Sequence, residues 1–161
     1  MQTQNFFKGI SLLSTIFFIH FFALEQALAT EPLACKNISQ AEVASLFNRW
    51  NNALKSKNLD SIVANYAEDA VLLPTVSNLP RTNHDEIRNY FIDFIKKNPS
   101  GEILKRTIRT GCNWATDTGL YSFQFKDNKD VMARYSFVYE YIDGKWLIVH
   151  HHSSIMPEIN F

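Results

Sequence analysis

The sequence predicts an α+β domain, helices first and an antiparallel sheet after them, on three observations. Apolar residues recur at three- and four-residue spacing from Val43 to Leu54 and again from Ile87 to Ile95. From Ile103 onward the chain turns to β-branched and aromatic residues separated by short polar breaks. The two patterns are segregated along the chain rather than interleaved, which argues against βαβ units.

A segment of a different kind precedes the first helix. Lys8 is followed by an apolar run from Ile10 to Leu24 that ends in Ala27-Leu28-Ala29. This is the pattern of a cleavable signal peptide over residues 1–29. The run is about fifteen residues long and carries Ser11, Ser14 and His20, short of the roughly twenty apolar residues of a membrane span. Cleavage leaves residues 30–161, roughly 130 in all, the size of one domain with a real core. The product is expected in the periplasm or outside the cell, with no membrane attachment after cleavage. The 16 basic and 16 acidic residues cancel, so no basic face speaks for nucleic acid or an anionic membrane. Cys35 and Cys112 are the two cysteines of the chain. In an oxidising compartment they pair most simply with each other, and closing so long a loop contributes roughly 4 kcal/mol by chain entropy. Two separate buried thiols are the alternative.

The elements follow in order. Ser39 and Glu42 form a capping box ahead of a helix with Val43, Leu46, Phe47, Trp50, Ala53 and Leu54 on one stripe. Leu59 to Tyr66 reads as a short second helix and Ala70 to Leu73 as a strand stopped by Pro74. After an irregular stretch to Thr82, Asn83 and Glu86 open a third helix through Tyr90, Phe91 and Phe94, closed by Asn98-Pro99-Ser100-Gly101. Strands are expected over 103–112, 119–125, 131–141 and 145–153. Asp143-Gly144 is the two-residue signal of a type I′ hairpin. It sets Ile142 opposite Lys145, and then Tyr139 opposite Ile148, Phe137 opposite His150 and Tyr135 opposite His152. On that register Tyr135, Phe137, Tyr139, Ile148, His150 and His152 face the first helix. Arg134, Ser136, Val138, Glu140, Val149, His151 and Ser153 face outward, a mixed surface suited to a second copy of the chain.

The run from Ala133 to Tyr139, the run from Asp143 to Ser154, and Met156-Pro157-Glu158 resemble bacterial proteins of the SgcJ/EcaC type. Those belong with the association (hub) domain of calcium/calmodulin-dependent protein kinase II, in the NTF2-like superfamily. Tyr66 to Thr75, Arg106 to Arg109 and Gly111-Cys112-Asn113 agree, so the likeness covers nearly the whole mature chain. It implies an NTF2-like cone, with N-terminal helices packed on a curved antiparallel sheet around a cavity, and assembly through the sheet into dimers or larger rings. It does not imply kinase activity, because no Gly-rich phosphate loop or catalytic Asp loop is present. Phe137 and Ser153 stand where animal hub domains carry pocket arginines, so their acid binding does not carry over. The oxidoreductase label of some relatives finds no cofactor motif here, and no cofactor is expected.

His150, His151 and His152 are the most unusual feature. Strand alternation lets only His150 and His152 act together. A His-x-His pair can chelate zinc, but a site needs three or four ligands and the mature chain adds only His84, so no metal site is assigned. Histidines hydrogen-bonded near a strand end are the plain alternative. An imidazole in a semi-apolar cleft titrates near neutrality and can serve binding or acid–base chemistry. The expected ligand pocket is therefore His150, His152, Tyr135, Trp50, Tyr66 and Arg109. Arg134, Glu140 and His151 are expected at a homo-oligomer interface. The function these residues suggest is an exported module that binds an unidentified small polar or aromatic molecule and self-associates without catalysis. The competing reading is a cavity enzyme, an isomerase or cyclase, with His150 or His152 as general base. An enzyme needs at least two titrating groups converging on one atom, and the sequence offers one pair at best.

Overall fold

The computed structural model describes residues 34–127 and 130–157, and the expected signal peptide over 1–29 lies outside them. The chain divides after Ala34, and the domain described below is the unit that begins at Cys35.

Helix α1 runs Gln40–Ser56. Its capping box is complete: Glu42 N donates to the Ser39 hydroxyl at 3.2 Å and Ser39 N donates to the Glu42 carboxylate at 2.8 Å. The whole expected stripe is buried, Val43 and Leu54 fully. Helix α2 is shorter than the pattern suggests, Leu59–Val63. The Asn65 amide donates to the Ser61 and Ile62 carbonyls and closes it, so Tyr66 opens strand β1, Tyr66–Leu73, instead of ending a helix. Helix α3 spans His84–Phe94 behind an Asn83 cap, with one 3-10 turn after it at Ile95–Lys97.

Four long strands follow: β2 Ser100–Gly111, β3 Trp114–Gln124, β4 Asp130–Ile142 and β5 Lys145–Ile155. Strand β3 begins earlier than expected. Thr116-Asp117-Thr118 looks like a polar break but is paired on both sides, with Asp117 between Ile108 and Phe137. Cys112 sits in the β2–β3 turn rather than in a strand, and it forms the expected disulfide with Cys35. Beside that bond Asn113 N donates to the Lys36 carbonyl at 3.1 Å and Lys36 N donates to Asn113 Oδ1 at 2.7 Å.

The sheet order is β1-β5-β4-β3-β2. Strands β2 to β5 are the antiparallel meander the sequence predicts, whereas β1 joins β5 in parallel. Asp143 and Gly144 have φ of 49° and 81°, both left-handed, and Ile142 faces Lys145 as a type I′ turn requires. The expected register holds as far as Tyr139 with Ile148 and then breaks. Val138 faces His150, so Val149 is an extra residue in β5, a bulge. Beyond it Phe137 pairs with His151, Ser136 with His152 and Tyr135 with Ser153. A one-residue slip turns each later side chain to the other face. His151 therefore points in, and His150 and His152 point out, the reverse of the expectation.

A second extra residue, Leu104 in β2, lies between Ile103 and Lys105. Gly119 sits beside it, where a Cβ would fall 1.9 Å from the Lys105 carbonyl oxygen, so only glycine lets the two backbones close there. The inner face is packed by α1. Phe47 meets Tyr135 and Phe137 at ring-centroid distances of 6.5 and 6.2 Å, and Trp50 meets Phe137 at 5.5 Å. One inward-facing row crosses the whole sheet: Ile108, Asp117, Phe137, His151 and Leu72.

Candidate functional site

Between the helices and the inner face of the sheet lies a cavity of about 680 Å³. Its buried wall is Trp50, Leu72, Pro74, Phe91, Tyr121, Phe123, Ala133 and His151. Tyr90, Phe94, Phe125, Val131, Thr75 and Ser153 are half-buried around it, and exposed Lys96, Lys97 and Lys126 stand at its rim. The local reasons are visible in the elements. Helix α3 turns Phe91 and Phe94 inward at three-residue spacing. The β5 bulge delivers His151 and Ser153 to the same face as Tyr135 and Phe137.

The polar part of the wall is a chain of three side chains. Trp50 Nε1 donates to Tyr66 Oη at 2.9 Å, and Tyr66 Oη lies 3.0 Å from His151 Nδ1. The indole can only donate, and we assign the Tyr66 proton to Nδ1, which places the imidazole proton on Nε2. Nε2 is buried and has no hydrogen-bond partner among the described residues. The ring lies against Phe137 at a centroid distance of 4.1 Å and meets Trp50 edge-on at 5.3 Å. Burial, with His150 and His152 adding a little, drives the His151 pKa down to about 3. At neutral pH it is an uncharged donor. Burial likewise pushes Tyr66 well above its ordinary value. A smaller polar group joins Ser153 to the Tyr121 hydroxyl and to Thr75.

A second buried cluster sits on the other side of Phe137. Asp117 accepts from Arg106 Nε at 3.1 Å and from the Tyr135 hydroxyl at 2.8 Å, and its second oxygen lies 2.9 Å from the Arg106 guanidinium. Burial pushes the Asp117 pKa up, and the Tyr135 hydrogen bond and the Arg106 charge oppose that rise. Arg106 also lies over the Phe47 ring, 5.8 Å from its centroid.

The expected site residues are thus redistributed. Trp50 lines the cavity, and Tyr66 stands behind His151 as its hydrogen-bond partner. Tyr135 turns to Asp117, Arg109 is exposed, and Arg106 is the arginine that faces inward. His150 and His152 leave the pocket for the outer face, and His151 leaves the expected interface for the cavity wall. Arg134 and Glu140 are exposed on the outer face as expected, and Arg134 donates to Ser154 Oγ and the Ile155 carbonyl. His84 is taken up by the Tyr66 carbonyl at 3.0 Å and by Glu68 at 3.1 Å. Among the described residues no three His, Cys, Asp or Glu side chains gather as a metal site. Asp117 and the inward turn of His151 were missed from sequence. Three identical neighbours hide a slip of one, and threonines on both sides disguise a buried aspartate as a loop residue.

Helices laid on a curved, mostly antiparallel sheet, with a cavity between the layers, define an NTF2-like protein. An NTF2-like protein of unknown function from Pseudomonas putida KT2440 shares that fold at a TM-score of 0.66 and 19% identity, over 74% of this chain and 88% of that one. A ketosteroid isomerase-like protein from Erwinia carotovora atroseptica does so at 0.59 and 15%, over 73% and 96%. At such identities the likeness is one of fold alone. More specifically, the family model of the calcium/calmodulin dependent protein kinase II association domain matches residues 39–157, and the chain belongs to that family. A crystal structure from Xanthomonas campestris described under the same domain name is 51% identical, with a TM-score of 0.69, over 73% of this chain and 88% of that one.

Proposed function

We propose that this chain is an exported binding and self-association module. Residues 1–29 direct it to the periplasm or the medium, the cavity holds a small molecule, and the outer face of the sheet joins copies into a dimer or larger ring. The observation that carries the binding part is the buried, unpartnered Nε2–H of His151 in the wall of a cavity lined mostly by aromatic and other apolar side chains. A buried donor without an acceptor costs about 1–3 kcal/mol, which an oxygen of a bound molecule removes. Self-association is supported by the association-domain family and by an outer face where Arg134, Glu140 and His152 are exposed beside Met132. Export is supported by the Cys35–Cys112 disulfide. Among the described residues no helix is long and apolar enough to cross a membrane. Within the family, the C-terminal run through the three histidines supports a place beside the SgcJ/EcaC type.

Binding is favoured over catalysis by the state of the imidazole. A general base works best with a pKa near the working pH, and His151 is held at about 3 with Nδ1 already engaged by Tyr66. The other buried titratable pair, Asp117 with Arg106, is separated from it by Phe137 and consumed by its own salt bridge. Native mass spectrometry of the full chain expressed in a bacterial host tests the reading in one measurement. The expected species is a multimer of chains lacking residues 1–29, carrying a small-molecule adduct that the His151→Phe protein loses. An unprocessed monomer without adduct overturns it.

A further inference from the structure

The cavity wall and its rim differ in charge. None of the buried wall residues carries a formal charge at neutral pH, and most are aromatic. The Asp117–Arg106 pair is absent from the lining. The interior therefore offers ring faces, one imidazole N–H and the hydroxyls of Tyr121, Ser153 and Thr75, all three already joined through Ser153. It cannot compensate a charge or satisfy many polar groups, which excludes sugars and polyanions from the inside. A planar apolar body fits, and about 680 Å³ is the size of an ordinary small-ligand pocket.

The rim is the opposite. Lys96, Lys97 and Lys126 border the mouth, with Asp127 as the acidic residue among them. Lys126 N donates to the Lys97 carbonyl at 2.9 Å, so the end of the 3-10 turn is tied to the turn that follows β3 and the two lysines share one edge of the opening. Lys96 is engaged by Asp93 at 2.7 Å, but that pair is exposed and contributes little. A ligand whose ring system enters the cavity leaves its other end among ammonium groups.

We propose that the molecule held here is an amphipathic aromatic anion, a carboxylate or sulfonate in class, with its rings against the aromatic wall and its charge at the Lys97–Lys126 edge. This rests on the cavity being a binding site, and the test separates the two ideas. Fluorescence titration uses 1-anilinonaphthalene-8-sulfonate and N-phenyl-1-naphthylamine, which share one ring system and differ by the sulfonate. The anionic probe is expected to bind about tenfold more tightly at low salt, an advantage that shrinks at 1 M salt. Lys97→Gln with Lys126→Gln brings its affinity to that of the neutral probe and leaves the neutral probe unchanged. Ala133→Trp, or Val131→Trp should the first fail to fold by circular dichroism, blocks the cavity and abolishes both. Equal wild-type affinities, or sulfonate binding that survives the blocking variant, overturn the anion assignment while the neutral probe still reports a binding cavity. Binding of neither probe overturns the cavity reading itself.

Discussion

Asp117 and His151 are neighbours of the same phenylalanine in one row of the sheet, one on each side of Phe137, and only 0% and 3% of their surfaces reach solvent. The protein handles them in opposite ways. Asp117 lies beside a cation and accepts from Arg106 and Tyr135, so the charge is compensated in place. His151 has no counterion, and burial removes its charge instead, leaving a neutral ring with one nitrogen bonded to Tyr66 and the other unpartnered. The difference teaches which of two buried polar groups is structural. The one whose charge is matched by an adjacent cation ties α1 to the sheet through the Arg106–Phe47 contact. The one that lines the cavity with a nitrogen unpartnered is the one that can address a ligand.

That contrast can be broken from the paired side first. Asp117→Ala leaves a largely buried guanidinium and the Tyr135 hydroxyl without their acceptor, and urea unfolding should show a loss of about 3 kcal/mol. Asp117→Asn, which keeps an acceptor, should lose clearly less.

Acid breaks it from the other side. Above pH 6.5 His151 is neutral in both folded and unfolded chains, and its contribution is constant. Between pH 6.5 and about 3 the unfolded chain takes up a proton that the folded site refuses. Stability therefore falls by up to about 1.4 kcal/mol per pH unit as pH drops through that window. Asp117, with its raised pKa, works in the opposite direction, since protonation relieves its burial. The difference between wild type and His151→Phe isolates the histidine. Thermal melts should show the slope flattened in the variant, and equal slopes would mean that His151 is not buried neutral.

A smaller effect comes from the far end of the polar chain. Trp50→Phe keeps the ring against Phe137 but removes the donor to Tyr66, and a loss of about 1 kcal/mol is expected. The same variant should weaken binding of the neutral naphthylamine probe, because Trp50 lines the cavity. The smallest effect sharpens the point about orientation. His150→Gln and His152→Gln should change stability by less than about 0.5 kcal/mol and leave probe binding untouched, because both side chains lie on the outer face.

The helices, their caps, the meander and the turn at Asp143-Gly144 were legible from local signals, and the disulfide from a count of two cysteines in a chain read as exported. Capping boxes, apolar spacing and a two-residue turn act within a few residues of themselves, so they survive without knowledge of the rest of the chain. The site was less legible, because a strand's inward face depends on its register along its whole length. Trp50 was assigned to the cavity from helical spacing alone, and Arg106 could not be chosen over Arg109 by alternation.

By itself, then, the sequence determined the α+β order, the elements and the chemistry available: many aromatic rings, a run of histidines, arginines in strands. Only the tertiary structure decided which histidine is inside. An extra residue at Val149 has no local signature, since it is held by the pairing of β5 with β1 and β4 on either side of it and by what the inner face must contain. Packing on α1 selected one register of a repeated residue, and with it placed one imidazole in the cavity and two on the surface.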